Sequence, residues 1–319
     1  MSIDVKYVTS PDGTAICAEE TGDRSAPAVV FIHGLACTAA GFDNQFNDSQ
    51  LSSNLHLVRY EMRGHGRSDK PEDMQSYSAI RHAEDFHSVC EAFQLDRPFV
   101  LGWYGSGCIP VDIVHYFGPE SISGIIYIGG ALLSLNLSAQ CRHPLFKPLV
   151  PLICSSDAQV AAKSAVPFVD SCVADPAALS YSTKLSLVGG FGLQPPIIRY
   201  FSLNREQDDS RWREQARHIP VVIIQGTEDT HCMYEVMIGL AKSIYDQVEV
   251  HLMHGVGHSP HIERPQEANR HILAFVRRSI SQSRVSSQSL PVPITTSADI
   301  CYLRPVASVN SLRLAQGAF

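Results

Sequence analysis

The chain lacks several things that would each point to a class of function. No Lys/Arg block is longer than a pair, and the formal net charge is −7. A nucleic-acid partner is therefore not expected. The cysteines are nine, scattered and odd in number, with no CxxC pair. That pattern excludes a regular disulfide framework or a zinc ribbon and fits free thiols in a reducing compartment. The opening MSIDVKYVTSPDGT has no apolar core of the kind a secretory leader carries. No uninterrupted apolar run reaches membrane-spanning length. The expectation is a cytoplasmic chain with no membrane partner, and a homo-oligomer is left open.

What the chain has is ordinary globular composition, 45% hydrophobic and 18% charged over 319 residues. That is ample for a sizeable core. DVKYVTSPDGTAICAEETG reads as a hairpin about a PDG turn. APAVVFIHG, HLVRYEMRG, PFVLGW, SGIIYIGG, PVVIIQG and VEVHLM read as strands. Their apolar runs are continuous rather than alternating, which suits a parallel sheet covered on both faces. IRHAEDFHSVCEAFQL has helical spacing, with Ile80, Phe86, Val89, Cys90 and Phe93 expected on the buried side. Strands alternating with helices predict an α/β, doubly wound, mostly parallel sheet.

The rhythm breaks over residues 131–215, where prolines and a Gly-Gly-Phe-Gly at 189–192 interrupt helical fragments. This stretch is expected to be a helical cap inserted into a core made of residues 1–130 and 216–282. Residues 283–319 are expected to be a C-terminal tail or arm.

Five motifs stand in order: FIHG (31–34), RGHGRSDKP (63–71), GWYGSG (102–107), GTEDT (226–230) and GVGHSPHIERP (255–265). Together they resemble the α/β-hydrolase fold superfamily, over roughly residues 5–280. The resemblance implies a catalytic acid at Asp229 and a catalytic histidine at His258. It implies oxyanion donors at the N–H groups of Leu35, after His33-Gly34, and Gly105. Gly34, Cys37 and Trp103 are expected beside them, lining the pocket. The pattern departs from the family at one point. The centre of the nucleophile elbow is Tyr104, where the family places a nucleophile such as serine. Ser106, the nearest serine, would need a register with Tyr104 and Cys108 two residues away. Those side chains are large for a turn where strand and helix backbones come close.

A tyrosine carries its oxygen at the far end of a ring and is a poor acyl carrier. With Asp229 orienting His258 as a base, the expectation is non-hydrolytic acid–base chemistry on a small carbonyl compound. C–C cleavage, condensation, dehydration and cyclisation, as in secondary metabolism, all fit. Two rivals stand beside it: an ester or thioester hydrolase with no covalent serine intermediate, and a non-catalytic ligand-binding protein in which Tyr104 plugs the pocket. No cofactor is expected. No metal is expected either: His254 and His258 are four apart, but the glycines between them favour a loop over a ligating helix. Arg63 and Asp69 are expected to form a structural pair.

Overall fold

The computed structural model describes residues 3–288 of the chain, with side chains described to residue 282. Eight strands form one sheet: β1 (Asp4–Thr9), β2 (Ala15–Gly22), β3 (Ala28–Ile32), β4 (His56–Tyr60), β5 (Phe99–Trp103), β6 (Gly124–Ile128), β7 (Val221–Gly226) and β8 (Val248–Met253). Their order is β1-β2-β4-β3-β5-β6-β7-β8. β2 runs antiparallel to β1 and β4, and the other neighbours are parallel. The doubly wound α/β sheet expected from the apolar runs is present. The hairpin turn places Gly13 at φ +88°, where a side chain would be strained.

The strand sequences explain the layering. β4, β5, β6 and β7 are buried along their whole length, whereas β1 is largely exposed and β8 only partly buried. Successive side chains of the central strands feed two cores. Val30, Ile32, Val100, Ile125 and Ile223 enter one. Phe31, Leu101, Ile126, Ile128 and Ile224 enter the other. This is the period of two that a strand covered on both faces requires.

Helices α1 (Ala79–Ala92) and α2 (Ile109–Phe117) cross between strands. α2 has Pro110 in its first turn and ends on Gly118 at φ +85°, a favoured start and stop. α1 buries Phe86, Val89 and Cys90, but Ile80 is 38% exposed. Its buried face carries His82 and Asp85 instead. Asp85 is the reason: it holds both Nε and Nη2 of Arg63 at 2.7 Å. The expected Arg63–Asp69 pair does not form. Arg63 also binds Asp12 at 2.8 Å, while Asp69 accepts from the Ala15 N–H.

Between β6 and β7 the chain runs through α3 (Leu135–Cys141), α4 (Leu149–Ile153), α5 (Ala158–Ser171), α6 (Tyr181–Leu193), α7 (Pro196–Asn204) and α8 (Ser210–Gln215). α6 passes straight through the glycines at 189–192. Gly190 packs where a Cβ would sit 3.3 Å from Cys37, so the small residue allows close approach to the loop after β3. α9 (Tyr234–Ile244) and α10 (Pro265–Gln288) complete the fold. Residues 283–288 of the expected tail continue α10, and residues 289–319 lie outside the described residues. Among the described residues no helix is long and apolar enough to cross a membrane.

Candidate active site

The site forms where the loops after β3, β5, β6, β7 and β8 meet. β5 ends at Trp103, and Tyr104 follows with φ +49°. That left-handed conformation is uncommon for a residue with a side chain and is strained for a bulky one. It turns the chain sharply from strand into helix. The turn is tight enough that a Cβ on Gly102 would lie 2.9 Å from the Ser106 carbonyl oxygen, and one on Gly107 2.7 Å from that of Leu132. Tyr104 thus occupies the tip. Ser106 lies in the following helical turn, and its hydroxyl reaches the carbonyl oxygens of Ile32 (2.6 Å) and Trp103 (3.0 Å).

Asp229 follows β7 and His258 follows β8. His258 Nδ1 lies 2.9 Å from Asp229 Oδ2. A carboxylate only accepts, so Nδ1 carries the proton and Nε2 is left as the basic nitrogen. Asp229 is densely held. Oδ1 accepts from the His231 N–H at 2.7 Å and the Cys232 N–H at 3.1 Å, and Oδ2 also accepts from Gln225 Nε2 at 2.9 Å. Burial by itself pushes this carboxyl up. The facing His258, with His231 and Gln225, more than offsets that and holds it at about 2.

The dyad needs space that glycines provide. Gly129 and Gly130 end β6 at φ +58° and +57°. A Cβ on Gly129 would stand 2.0 Å from the His258 carbonyl oxygen, and one on Gly130 2.5 Å from Asp229 Oδ2. The His258 loop is pinned by Glu263, which accepts from Gly257 and Ala174 N–H groups at 2.9 Å. Trp103 pins it from below, donating Nε1–H to the His258 carbonyl at 3.1 Å.

Leu35 and Gly105 come together as the resemblance implied. A Cβ on Gly105 would be 4.0 Å from the Leu35 nitrogen. Among the described residues neither N–H is taken up by a protein acceptor. His33 shapes this loop: its Nδ1 contacts the Gly34 carbonyl at 2.8 Å, and its Nε2 accepts from the Met62 N–H at 3.1 Å.

Cys37 and Trp103, expected to line the pocket, lie off the cavity beside Leu35 and Gly105, as do Tyr104, Asp229 and His258. The Trp103 ring lies under Gly34 and edge-on to His261 at 4.5 Å. Burial pushes the Cys37 thiol up to about 12, and its Sγ points to the Thr38 carbonyl. Both are buried. Gly34 presses on Trp103 and is likewise set back from the cavity. His254 is exposed and off any helix. Among the described residues no group of three or more His, Cys, Asp or Glu side chains is placed to hold a metal ion.

Tyr104 stands edge-on to His258, ring centroids 4.7 Å apart, and is itself covered by Phe146 at 5.7 Å. Burial pushes its phenol well above the ordinary value against the pull of Arg142 beside it, and its hydroxyl forms no well-aligned hydrogen bond. His231, absent from the sequence reading, stacks on His258 at 4.0 Å. It was findable as the histidine two places after Asp229. Gln225, a single amide at the end of the apolar run VVIIQ, was a second missed signal.

Residues 29–270 match the profile of the Alpha/beta hydrolase family. The chain belongs to that family. It is 24% identical over 285 residues to a non-heme chloroperoxidase of Streptomyces lividans, covering 85% of this chain and 99% of that one. A structure from Burkholderia cenocepacia, provisionally designated an aryl esterase, superposes with a TM-score of 0.80 at 25% identity. It covers 87% of this chain and all (100%) of that one. The esterase RhEst1 from a Rhodococcus species superposes with a TM-score of 0.77 at 22% identity, covering 86% and 98%. This member of the α/β-hydrolase family is thus similar along nearly its whole described length to two proteins with esterase names and one with a peroxidase name.

Proposed function

We propose that the protein hydrolyses a small ester or thioester by direct attack of water, with no covalent enzyme intermediate. The observation that carries this is the buried Asp229–His258 pair at 2.9 Å, beside the two N–H groups of Leu35 and Gly105. Tyr104 stands at the position where the family carries its nucleophile. Its phenol stays protonated because burial disfavours the anion. It therefore offers no nucleophile, and its ring forms a wall of the site. His258 Nε2 takes a proton from water, and the resulting hydroxide adds to the carbonyl carbon. The Leu35 and Gly105 N–H groups receive the oxyanion. The proton returns from His258 to the leaving alcohol or thiol, and the carboxylic acid departs. Asp229 stabilises the imidazolium throughout.

The residues 131–215 serve as the cap of this site, with Phe146 and Phe168 over Tyr104 and His231. Relatives with esterase names support hydrolysis over the lyase and cyclase chemistry expected from the missing serine, and we set that expectation behind it. A second reading, ligand binding without turnover, is favoured by the dense ring packing around His258. Initial rates on p-nitrophenyl acetate and a thioester separate the two. Hydrolysis predicts turnover that His258→Ala lowers by 100-fold or more (about 10²–10⁴ is usual for a positioned base). A rate unchanged by His258→Ala, or none above the uncatalysed rate, contradicts hydrolysis.

A further inference from the structure

His231 joins the catalytic pair to the helices packed over it. Its N–H donates to Asp229 Oδ1 at 2.7 Å. Its ring lies against two others: His258, with centroids 4.0 Å and planes 31° apart, and Phe146, at 4.1 Å and 30°. Two rings this close and this nearly parallel to a third must cover its opposite faces. The carbonyl of His231 accepts from the His143 N–H at 2.8 Å. Its Nε2 lies 2.8 Å from the hydroxyl of Ser171, the last residue of α5. Phe146, His143 and Ser171 all come from residues 131–215.

The Ser171 hydroxyl also lies 2.7 Å from the Phe168 carbonyl oxygen. A carbonyl only accepts, so the serine hydrogen goes there and His231 Nε2 carries the hydrogen that Ser171 accepts. Nδ1 is then unprotonated, buried and without a hydrogen bond. Burial, with His258 beside it, pushes the His231 pKa well below the ordinary value, so the ring is neutral. Neutrality matters at this spacing. His258 becomes a cation when it takes a proton from water, and a second cation 4.0 Å away would oppose that step. Orientation matters as well. The bond from Nδ1 to Asp229 fixes one point of the His258 ring, and Tyr104 meets that ring edge-on. The face contact that fixes its plane comes from His231, and a misplacement of about 1 Å at a reacting group costs on the order of 100-fold in rate.

We propose that His231 is a positioning residue: pressed between Phe146 and His258 and anchored at Ser171, it holds the plane of His258 while residues 131–215 are seated over the site. The base is then aligned only under a closed cap. The inference rests on the hydrolytic reading above.

The test uses the full chain and its variants Ser171→Ala, His231→Phe, both together, and His231→Ala. Two readouts are taken: kcat and KM on p-nitrophenyl acetate, and the proton NMR signal of His258 Nδ1–H, assigned by its loss in His258→Ala. Ser171→Ala and His231→Phe break the same anchor from its two ends. Each is expected to lower kcat by about 3–10-fold, the scale of one hydrogen bond, with KM within about twofold of wild type. The double variant is expected to lose no more than either single one. His231→Ala removes the ring itself and is expected to lose more, toward about 100-fold. Should it not fold, the other three variants decide. The Nδ1–H signal is expected to shift or broaden in every variant. Losses that multiply in the double variant overturn the anchor, and a signal unchanged in all variants overturns the positioning role. If wild type turns over no ester, hydrolysis falls and the signal alone decides: a change common to Ser171→Ala and His231→Phe supports the positioning role, and no change overturns it.

Discussion

The buried Tyr104 hydroxyl forms no well-aligned hydrogen bond, but Arg142, whose Nε is also unpartnered, lies against it. Tyr104→Phe removes the hydroxyl while keeping the ring against His258. The variant is expected to stay within about 1 kcal/mol of wild type in urea unfolding, because Arg142 loses the phenol that faces it, and to hydrolyse esters within about threefold of wild type. A tenfold loss of rate would place the phenol in the chemistry. The neighbouring carboxylate makes a prediction of its own. Asp229 sits at about 2 in the folded protein, below the unfolded value of about 3.9. A carboxyl lowered by folding contributes stability above its unfolded pKa, and that contribution is lost as pH falls through the folded one. Wild type should therefore exceed Asp229→Asn by roughly 2–3 kcal/mol more at pH 6 than near pH 2. Unfolding curves collected across that range check it, and a gap independent of pH would contradict the assignment.

At the scale of elements, the glycine pair closing β6 separates a steric requirement from a general dislike of substitution. Gly130→Ala puts a Cβ at φ +57° and within 2.5 Å of Asp229 Oδ2. It is expected to cost about 2–4 kcal/mol and most of the activity. Gly189→Ala, in the interior of α6 with nothing within 4 Å of the added carbon, is expected to stabilise by roughly 0.5–1 kcal/mol. Thermal unfolding of the two variants checks the contrast. The strands were readable because most of the buried runs are local and continuous, and Asp229, His258, Leu35 and Gly105 were singled out because the motifs that hold them resemble those of the α/β-hydrolase fold. The partners were not. Arg63 reaches Asp85 across 22 residues of chain, and no spacing rule favours that pair over Asp69.

At the scale of the whole molecule, the helices between β6 and β7 are tied to the sheet by buried charge. Arg205, after α7, binds Asp112 of α2 at 2.6 Å, and Gln207 binds the same carboxylate at 2.7 Å. Burial raises the Asp112 carboxyl despite the facing arginine. Removing one partner leaves the other stranded, so Arg205→Met is expected to cost about 3–5 kcal/mol. Adding Asp112→Leu should recover most of that loss, because no charge then remains unpaired. A double variant no more stable than the single one would show that the pair acts through something other than charge.

In the proposed hydrolysis, the turn after β5 offers Tyr104 in place of a nucleophile and leaves Asp229 and His258 to act on water. Intact-protein mass spectrometry, after exposure to a fluorophosphonate and during turnover of an activated ester, addresses that claim most directly. An unmodified mass is expected in both cases while ester is consumed in a His258-dependent reaction. A phosphonyl or acyl adduct mapped to Ser106 or Tyr104 would contradict it.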